Sequence, residues 1–308
     1  MDLIAVLIIN IIPLYILIAL GFVAGKWFDV NLNSIAKILI YFLAPVVTFG
    51  AILNINFDAT YILLPIILFI ISTTISLGSY GFLKLFWKDG TANLIGAGGV
   101  NGNALYFGVP IVSALLGPTG LGLWMLMNLA PSINNFTLAY YLTARGSFSV
   151  KKSLYKVITL PVLHAAILAI ILNIYGFKLP DIVTTYWDYS TGAFVILGMM
   201  LIGIALSKQE KFELDTKLIF GSFSVKFLIW PAVLFTWIFI DKTFLNIYDN
   251  DIHLLLALFS SMPLIGNLVV YAAENNLHPE KAAMAVLIST ILAIGTIPAA
   301  YFLYQWLF

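Results

Sequence analysis

Residues 98–110 read GGVNGNALYFGVP and lie inside a stretch of apolar sequence long enough to enter a membrane. Four glycines, two asparagines and a proline within thirteen residues interrupt a helix at this point. Lipid offers no hydrogen-bond partner to the backbone, so a broken helix at membrane depth persists only against protein or a water-filled cavity. This segment is therefore the first candidate for a binding site.

The composition is that of a polytopic membrane protein. Hydrophobic residues make up 62% of the 308-residue chain and charged residues 9%, with a mean hydropathy of +1.03, far from ordinary soluble usage. The net charge of +1 gives no reason to expect a nucleic-acid partner. Cysteine is absent, and no H-E-x-x-H, G-x-S-x-G or Walker-type motif appears, so we expect no enzyme and no cofactor.

About twenty apolar residues are needed to cross the hydrocarbon core of a bilayer. On that rule the sequence predicts ten spans, at 3–25, 35–53, 61–86, 92–117, 120–143, 157–177, 186–206, 216–240, 252–273 and 282–307. Of the fifteen Lys and Arg residues, twelve lie in loops that follow odd-numbered spans and two in loops that follow even-numbered ones. The positive-inside rule then puts the odd loops in the cytoplasm and both termini outside, in a multi-pass protein of the plasma membrane.

Ten spans divide into two halves of five, residues 1–146 and 147–308, joined by a basic loop. An odd number of spans per half gives the halves opposite orientations, the inverted-repeat plan of many secondary transporters. Pro13 precedes Pro161 by 148 residues and Pro110 precedes Pro263 by 153, and these near-equal offsets support a repeat.

Spans four and nine each carry a proline near the middle, Pro110 and Pro263. Proline removes a backbone donor but suits the start of a new helix. We therefore expect each proline to begin a half-helix, with Gly108 or Ser261 in the cap region. Two half-helix N-termini would then face the bilayer midplane and favour an anion.

Asn103 and Asn267 add amide donors suited to a carboxylate. The alternative for span four is that its glycines only allow close helix packing, because Gly98 and Gly102 form a small-x-x-x-small pattern.

At these residues the sequence resembles the auxin efflux carrier family, which includes the plant PIN carriers and bacterial carboxylate transporters. NALYFGVP at 103–110 looks like the family's N-x-x-x-x-G-[IV]-P signature, and residues 260–290 are similar to its ninth and tenth helices. KILIYFLAPVVTFGAIL at 37–53 looks like its second helix and VKFLIWP at 225–231 like its eighth. The resemblance covers almost the whole chain.

The resemblance implies an NhaA-like fold, related to bile-acid sodium symporters, in which helices four and nine unwind and cross at their prolines. A transport bundle of helices 3–5 and 8–10 would move against a scaffold of helices 1, 2, 6 and 7 in an elevator-like cycle. It also implies that Asn103, Pro110, Pro263 and Asn267 line the substrate site. The connection between the halves spans only 143–156, whereas plant carriers have a long loop there, which favours a prokaryotic-type member.

Lys226 lies near the middle of span eight, where a lysine costs about 2.5–3.5 kcal/mol on insertion scales. It should therefore face the bundle interior, where it supplies charge to the substrate or to half-helix C-termini, or is a structural lysine bound to carbonyls. Asn128, Asn134 and Asn135 of span five either line the cavity or bond between helices. The candidate substrate-binding residues are thus Asn101, Asn103, Tyr106, Gly108, Pro110, Asn134, Lys226, Pro263 and Asn267, with no metal site.

The predicted function is secondary transport of a small organic anion, most simply a carboxylate, with efflux favoured. A membrane potential of 100 mV is worth about 2.3 kcal/mol per charge, enough to drive anion efflux without a coupled ion. Sodium-coupled carboxylate uptake and a membrane-embedded ligand sensor remain open alternatives, while a channel fits a broken-helix site poorly. The partners expected are the substrate and the lipid bilayer, and a homodimer is compatible with the sequence.

Overall fold

The computed structural model describes residues 3–54, 63–177, 179–208 and 214–308, and the side chains of Tyr106 and Pro110 lie outside the description. Within these ranges the chain forms helices and the segments that join them. In chain order the helices are α1 (Leu3–Trp27), α2 (Leu32–Ile38), α3 (Ala44–Leu53), α4 (Leu63–Lys84), α5 (Thr91–Gly98), α6 (Val109–Asn134), α7 (Tyr140–Ser147), α8 (Val150–Ile158), α9 (Pro161–Ile174), α10 (Asp181–Ser207), α11 (Thr216–Ser224), α12 (Trp230–Ile240), α13 (Asn250–Ser260), α14 (Asn267–Glu274) and α15 (Pro279–Leu307).

Several of these helices are joined through π-helical turns and run on as longer helical stretches. The turns are Leu39–Leu43 between α2 and α3, Ala104–Gly108 before α6, Asn135–Ala139 between α6 and α7, Val225–Ile229 between α11 and α12, and Asp241–Leu245 after α12. π-helical turns inside α-helices often mark functional sites.

The prediction of an all-helical membrane protein is confirmed for the described residues. Five helical stretches there are long and apolar enough to cross a membrane, and α8 with α9, bent by 46°, gives a sixth if counted as one. The five are Leu32–Leu53, Leu63–Lys84, Ile182–Ser207, Thr216–Leu245 and Pro279–Leu307. The count of ten spans stays a prediction, because the other predicted spans are interrupted by breaks or kinks or extend beyond the described side chains.

The helices α1 and α10 pack at van der Waals distance along their glycines. A Cβ on Gly21 would lie 2.0 Å from the carbonyl oxygen of Met200, and a Cβ on Gly203 would lie 1.9 Å from that of Ile18. Close approach of this kind, through small residues, is a common way for helices to associate in membranes. It makes α1 and α10 a tightly joined pair.

A second set of contacts ties α3 to α9 and α10. The amide of Asn173 in α9 donates to the carbonyls of Ile52 and Leu53 at 2.9 and 3.1 Å, at the C-terminal end of α3. The indole N–H of Trp187 in α10 donates to the carbonyl of Val47 at 3.0 Å. Together with the α1–α10 contact, these bonds join α1, α3, α9 and α10 into one group. Elsewhere α4 packs against α5 and α6, and α15 packs against α13 and α14 as well as against α10.

Two breaks in helical geometry divide the predicted spans four and nine. The first covers 99–103, between α5 and the π-helical turn before α6, and the second covers 261–266, between α13 and α14. Pro110 is the second residue of α6 and Gly108 its N-cap, as expected, although the helical path already resumes at Ala104. The expectation that Pro263 begins a half-helix is wrong, because α14 starts four residues later, at Asn267.

The end of the predicted fourth span coincides with an interruption inside α6. Gly117 adopts φ 62° and ψ −156°, a non-helical conformation that favours glycine. The sequence places the loop between spans four and five at the same point.

Candidate functional site

The two breaks touch each other through their backbones. The N–H of Asn103 donates to the carbonyl of Pro263 at 2.8 Å, and the N–H of Ile265 donates to the carbonyl of Asn101 at 3.1 Å. Gly102 and Leu264 lie opposite each other between these bonds as an antiparallel bridge. Backbone groups freed by one interruption are thus satisfied by the other, as membrane depth requires.

Side chains from neighbouring helices hold the first break. The ammonium of Lys226, which is fully buried, donates to the carbonyl of Val100 at 3.2 Å. The amide of Asn101 donates to the carbonyl of Ala97 at 2.8 Å and to the side-chain oxygen of Asn134 at 3.2 Å. The indole N–H of Trp124 donates to the carbonyl of Ala104 at 3.0 Å.

The second break is held by α15. The N–H of Leu264 donates to the hydroxyl of Ser289 at 3.1 Å, and the hydroxyl of Thr296 donates to the carbonyl of Ser261 at 3.1 Å. Pro263, Leu264 and Ile265 are held against the first break by the antiparallel bridge, through the carbonyl of Pro263 and the N–H of Ile265, so the backbone there is not free to turn into a helix. This explains why α14 begins only at Asn267.

A cavity lies beside the junction of the two breaks. The volume in which the centre of a water molecule can move is about 90 Å³, while one water needs about 10–15 Å³. The cavity therefore has room for several waters or one small organic ion. Its lining comprises Ala44, Val47, Thr48, Ala51, Ile52, Gly102, Asn103, Ala104, Met125, Asn128, Leu129, Pro131, Ser132, Asn135, Phe136, Phe194, Ile265, Gly266 and Asn267.

The polar side chains of the lining are neutral. Asn103 comes from the first break and Asn267 from the start of α14, so the structure brings both predicted residues to one cavity. Asn128, Ser132 and Asn135 follow one another at spacings of four and three, which places them on one helical face. That spacing was readable in the sequence and marks Ser132, which sequence reasoning missed.

Two helical starts face this cavity. Ala104 begins the π-helical turn that leads into α6, Gly266 is the N-cap of α14, and both line the cavity. A helix N-terminus carries about half a positive charge and free N–H groups. The arrangement therefore presents positive potential to the cavity without a charged side chain among the described lining residues.

Three other sequence candidates lie behind the cavity wall. Asn101 and Asn134 bond to each other, and the amide of Asn134 also donates to the hydroxyl of Thr73 at 3.1 Å. Lys226 is next to the lining residue Gly102, since a Cβ added there would lie 2.9 Å from its ammonium nitrogen.

Two candidates have backbone or packing contacts instead. Pro263 contributes its carbonyl to the contact between the breaks. Gly108 is covered by the ring of Trp124, which would lie 2.0 Å from a Cβ at that position. The side chains of Tyr106 and Pro110 lie outside the described part of the chain.

A buried acid–histidine pair lies at another place in the fold. The carboxylate of Asp241, fully buried, lies 2.8 Å from Nε2 of His253 and accepts the N–H groups of Ile247 and Tyr248 at 3.1 and 3.0 Å. These bonds join the end of the eighth predicted span to α13. None of the four residues lines the cavity.

Comparison with known proteins shows the class to which this helical protein belongs, a membrane transport protein. Residues 6–301 match the family model described as membrane transport protein, and the chain belongs to that family. The resemblance to auxin efflux carriers is thereby confirmed. An uncharacterized transporter of the archaeon Methanocaldococcus jannaschii is 29% identical over 294 residues, covering 91% of this chain and 92% of the relative.

Proposed function

We propose that the protein is a secondary transporter of small organic anions, with carboxylates as the substrate class. The observation that carries the proposal is the cavity at the meeting point of the two breaks, lined by two helical starts and by the amides of Asn103 and Asn267. Amide and backbone N–H groups donate to a carboxylate, and helix N-termini favour negative charge.

The size and polarity of the cavity support a small substrate. Its lining alternates neutral hydrogen-bonding groups with apolar side chains such as Val47, Ile52 and Phe194. An apolar wall with a few convergent polar groups is the usual form of a small-molecule site. A short carboxylate would place its charged end at the breaks and its carbon chain against the apolar wall.

The identity of the helices that form the two walls of the cavity supports elevator-type alternating access. One wall consists of α3 and α10, which belong to the group joined by glycine contacts and by Asn173 and Trp187. The opposite wall consists of the two breaks and the helical face of Asn128, Ser132 and Asn135. A substrate held between a scaffold and a movable bundle would be carried across the membrane when the bundle slides along the scaffold.

The predicted orientation makes this an outward-facing arrangement. With both termini outside, the C-terminal half of α3 and the part of α6 that follows Gly117 lie on the non-cytoplasmic side. Thr48 and Met125 in these parts line the cavity. We propose that efflux ends in this state, with release of the anion to the outside and the membrane potential as driving force.

Sodium-coupled uptake is the second candidate, because the cavity carries amide oxygens of Asn103, Asn128 and Asn267 as well as donors. Oxygen atoms of this kind ligate hard cations. The same transport assay separates the two candidates.

The test is transport by the purified protein in liposomes, recorded as electrogenic current with a panel of mono- and dicarboxylates, with and without a sodium gradient. The proposal predicts a saturable current for at least one carboxylate. A current that requires sodium would favour coupled uptake over potential-driven efflux. No saturable current or flux with any anion would refute the proposal.

A further inference from the structure

A second polar cluster lies where α14 ends. Glu274 is the last residue of α14; its Oε1 accepts a hydrogen bond from the hydroxyl of Tyr41 at 3.1 Å and lies 3.7 Å from the ammonium of Lys156. Lys156 also donates to the side-chain oxygen of Asn275 at 3.0 Å. The side chains of Lys156 and Glu274 are only 18% and 8% exposed. We call Tyr41, Lys156, Glu274 and Asn275 the Glu274 cluster.

The Glu274 cluster joins parts of the molecule that the proposed cycle must separate. Tyr41 belongs to the π-helical turn between α2 and α3, and Lys156 belongs to α8, which precedes α9. Glu274 and Asn275 end α14, whose first residue, Asn267, lines the cavity. One short helix therefore runs from the proposed binding site to a hydrogen bond with Tyr41 on the scaffold side and to an ion pair with Lys156, in the connection that packs against α7 and leads into α9.

An apolar layer separates the cavity from this cluster. A smaller cavity shares Ala44, Phe136, Phe194 and Asn267 with the larger one and continues past it. Its remaining lining is Leu39, Ile40, Leu160, Val162, Val270 and Tyr271. The smaller cavity therefore extends from the site toward the Glu274 cluster, but apolar side chains close the route before it reaches the cluster.

We propose that Glu274 is a positioning residue for transport: through Lys156 and Tyr41 it holds α14 against the scaffold, closes the cytoplasmic route and keeps Asn267 in the outward-facing cavity. This inference rests on the proposed function and on the predicted orientation, which places α8 and the end of α14 on the cytoplasmic side. Release of the cluster accompanies the movement that opens the site to the cytoplasm.

The bonding of the cluster suits a closure that must open again. The second carboxylate oxygen of Glu274 is buried without a hydrogen-bond partner among the described residues, which limits the stability of the closed arrangement. The ammonium of Lys156 is partly exposed and separated from the carboxylate by 3.7 Å. Water can therefore replace the contact when α14 moves.

The test uses thiol accessibility, because the chain contains no cysteine. Val270→Cys places a reporter in the apolar layer, where the native side chain is buried. A membrane-impermeant maleimide is applied to the cytoplasmic face of sealed vesicles. The labelling rate of a residue exposed only by opening follows the population of the open state. In the V270C background, Glu274→Gln removes the charge, Tyr41→Phe removes only the hydroxyl donor, and Glu280→Gln is the matched control.

Glu280→Gln is a suitable control because it makes the same chemical change close by, in the first turn of α15, where the carboxylate lies 3.5 Å from Nδ1 of His278, the N-cap residue of the same helix. We expect cytoplasmic labelling of V270C to rise about tenfold in Glu274→Gln, since a partly buried ion pair lies between exposed and fully buried pairs in strength. Tyr41→Phe should give a smaller rise, and Glu280→Gln none. Exchange of the two charges, Lys156→Glu with Glu274→Lys, should restore slow labelling.

Unchanged labelling in both Glu274→Gln and Tyr41→Phe, in protein that melts like the parent, would overturn the inference. A rise of equal size in Glu280→Gln would overturn it as well, because the effect would then come from charge loss in general. Failure of the proposed function is distinguishable, since it shows as absence of anion transport in the parent protein, whereas this experiment reads only the closure.

Discussion

Lys226 allows the electrostatic part of the proposed site to be tested separately from its shape. Its ammonium lies on the far side of Gly102 from the cavity, 2.9 Å from where a Cβ on that glycine would be. An anion bound against Gly102 would be on the order of 6 Å away, and with an effective dielectric constant of about 20 the attraction is about 2.8 kcal/mol. Lys226→Met is therefore expected to weaken anion binding by about 100-fold.

The same substitution should leave the fold nearly as stable as before. Removing the charge from mid-membrane depth gains about 2.5–3.5 kcal/mol on insertion scales. Leaving the carbonyl of Val100 without its donor costs about 1–3 kcal/mol. The two changes largely offset each other, so the free energy of unfolding should change by no more than about 2.5 kcal/mol.

Isothermal titration calorimetry with the best carboxylate from the transport screen measures the affinity, and thermal melting in the same detergent measures the stability. Lys226→Gln keeps a donor for Val100 but removes the charge, so it should lose affinity like Lys226→Met. Lys242→Gln, at a lysine that contacts the carbonyl of Phe308, is the control for loss of a positive charge. Wild-type affinity in both Lys226 variants would refute the electrostatic reasoning, and loss in Lys226→Met alone would assign Lys226 a purely structural role.

Two further predictions concern stability. Gly21→Ala should lower the melting temperature, because its Cβ would lie 2.0 Å from a backbone carbonyl oxygen of α10 and overpacking costs about 1–3 kcal/mol; Gly78→Ala, with nothing within 4 Å of its Cβ, should be neutral or gain about 0.5–1 kcal/mol. Burial alone would raise the pKa of Asp215, but hydrogen bonds from Lys281 and from the N–H of Leu218, together with the lysine's charge, hold that pKa below its ordinary value of 3.8. Because the pKa is lowered by folding, the stabilisation is present above 3.8 and lost as the pH falls through the lowered value, so the deficit in melting temperature of Asp215→Asn at pH 6 should shrink well below pH 3.8.

Much of the site could be inferred from sequence because the chemistry of the breaks is local. Glycine, asparagine and proline in an apolar run predict an interruption of the helix regardless of which helices pack against it. Two interruptions at corresponding places in the two halves predict one shared site. Asn103 and Asn267 lie within or beside these interruptions, so their presence at the cavity follows from the same argument. The exact break points are less local, since Leu264 finds its partner in α15.

Contacts that depend on how a helix is rotated could not be read from sequence. Asn134 and Asn135 are neighbours about 100° apart around a helix axis. Asn135 lines the cavity whereas Asn134 bonds to Asn101 and Thr73. The depth of Lys226 was clear from its place in the span, but its contact with the carbonyl of Val100 depends on the packing of α11 and its π-helical turn against the first break.

The central claim is that a small organic anion binds where the two breaks meet. The most direct measurement is the dissociation constant of the transported carboxylate for wild-type protein, Asn103→Ala and Asn267→Ala, determined by calorimetry on protein of equal melting temperature. Loss of one hydrogen bond to a charged group is worth about 1.5–3 kcal/mol, so each variant should bind at least about tenfold more weakly. Equal affinity of all three proteins for the anion would contradict the account.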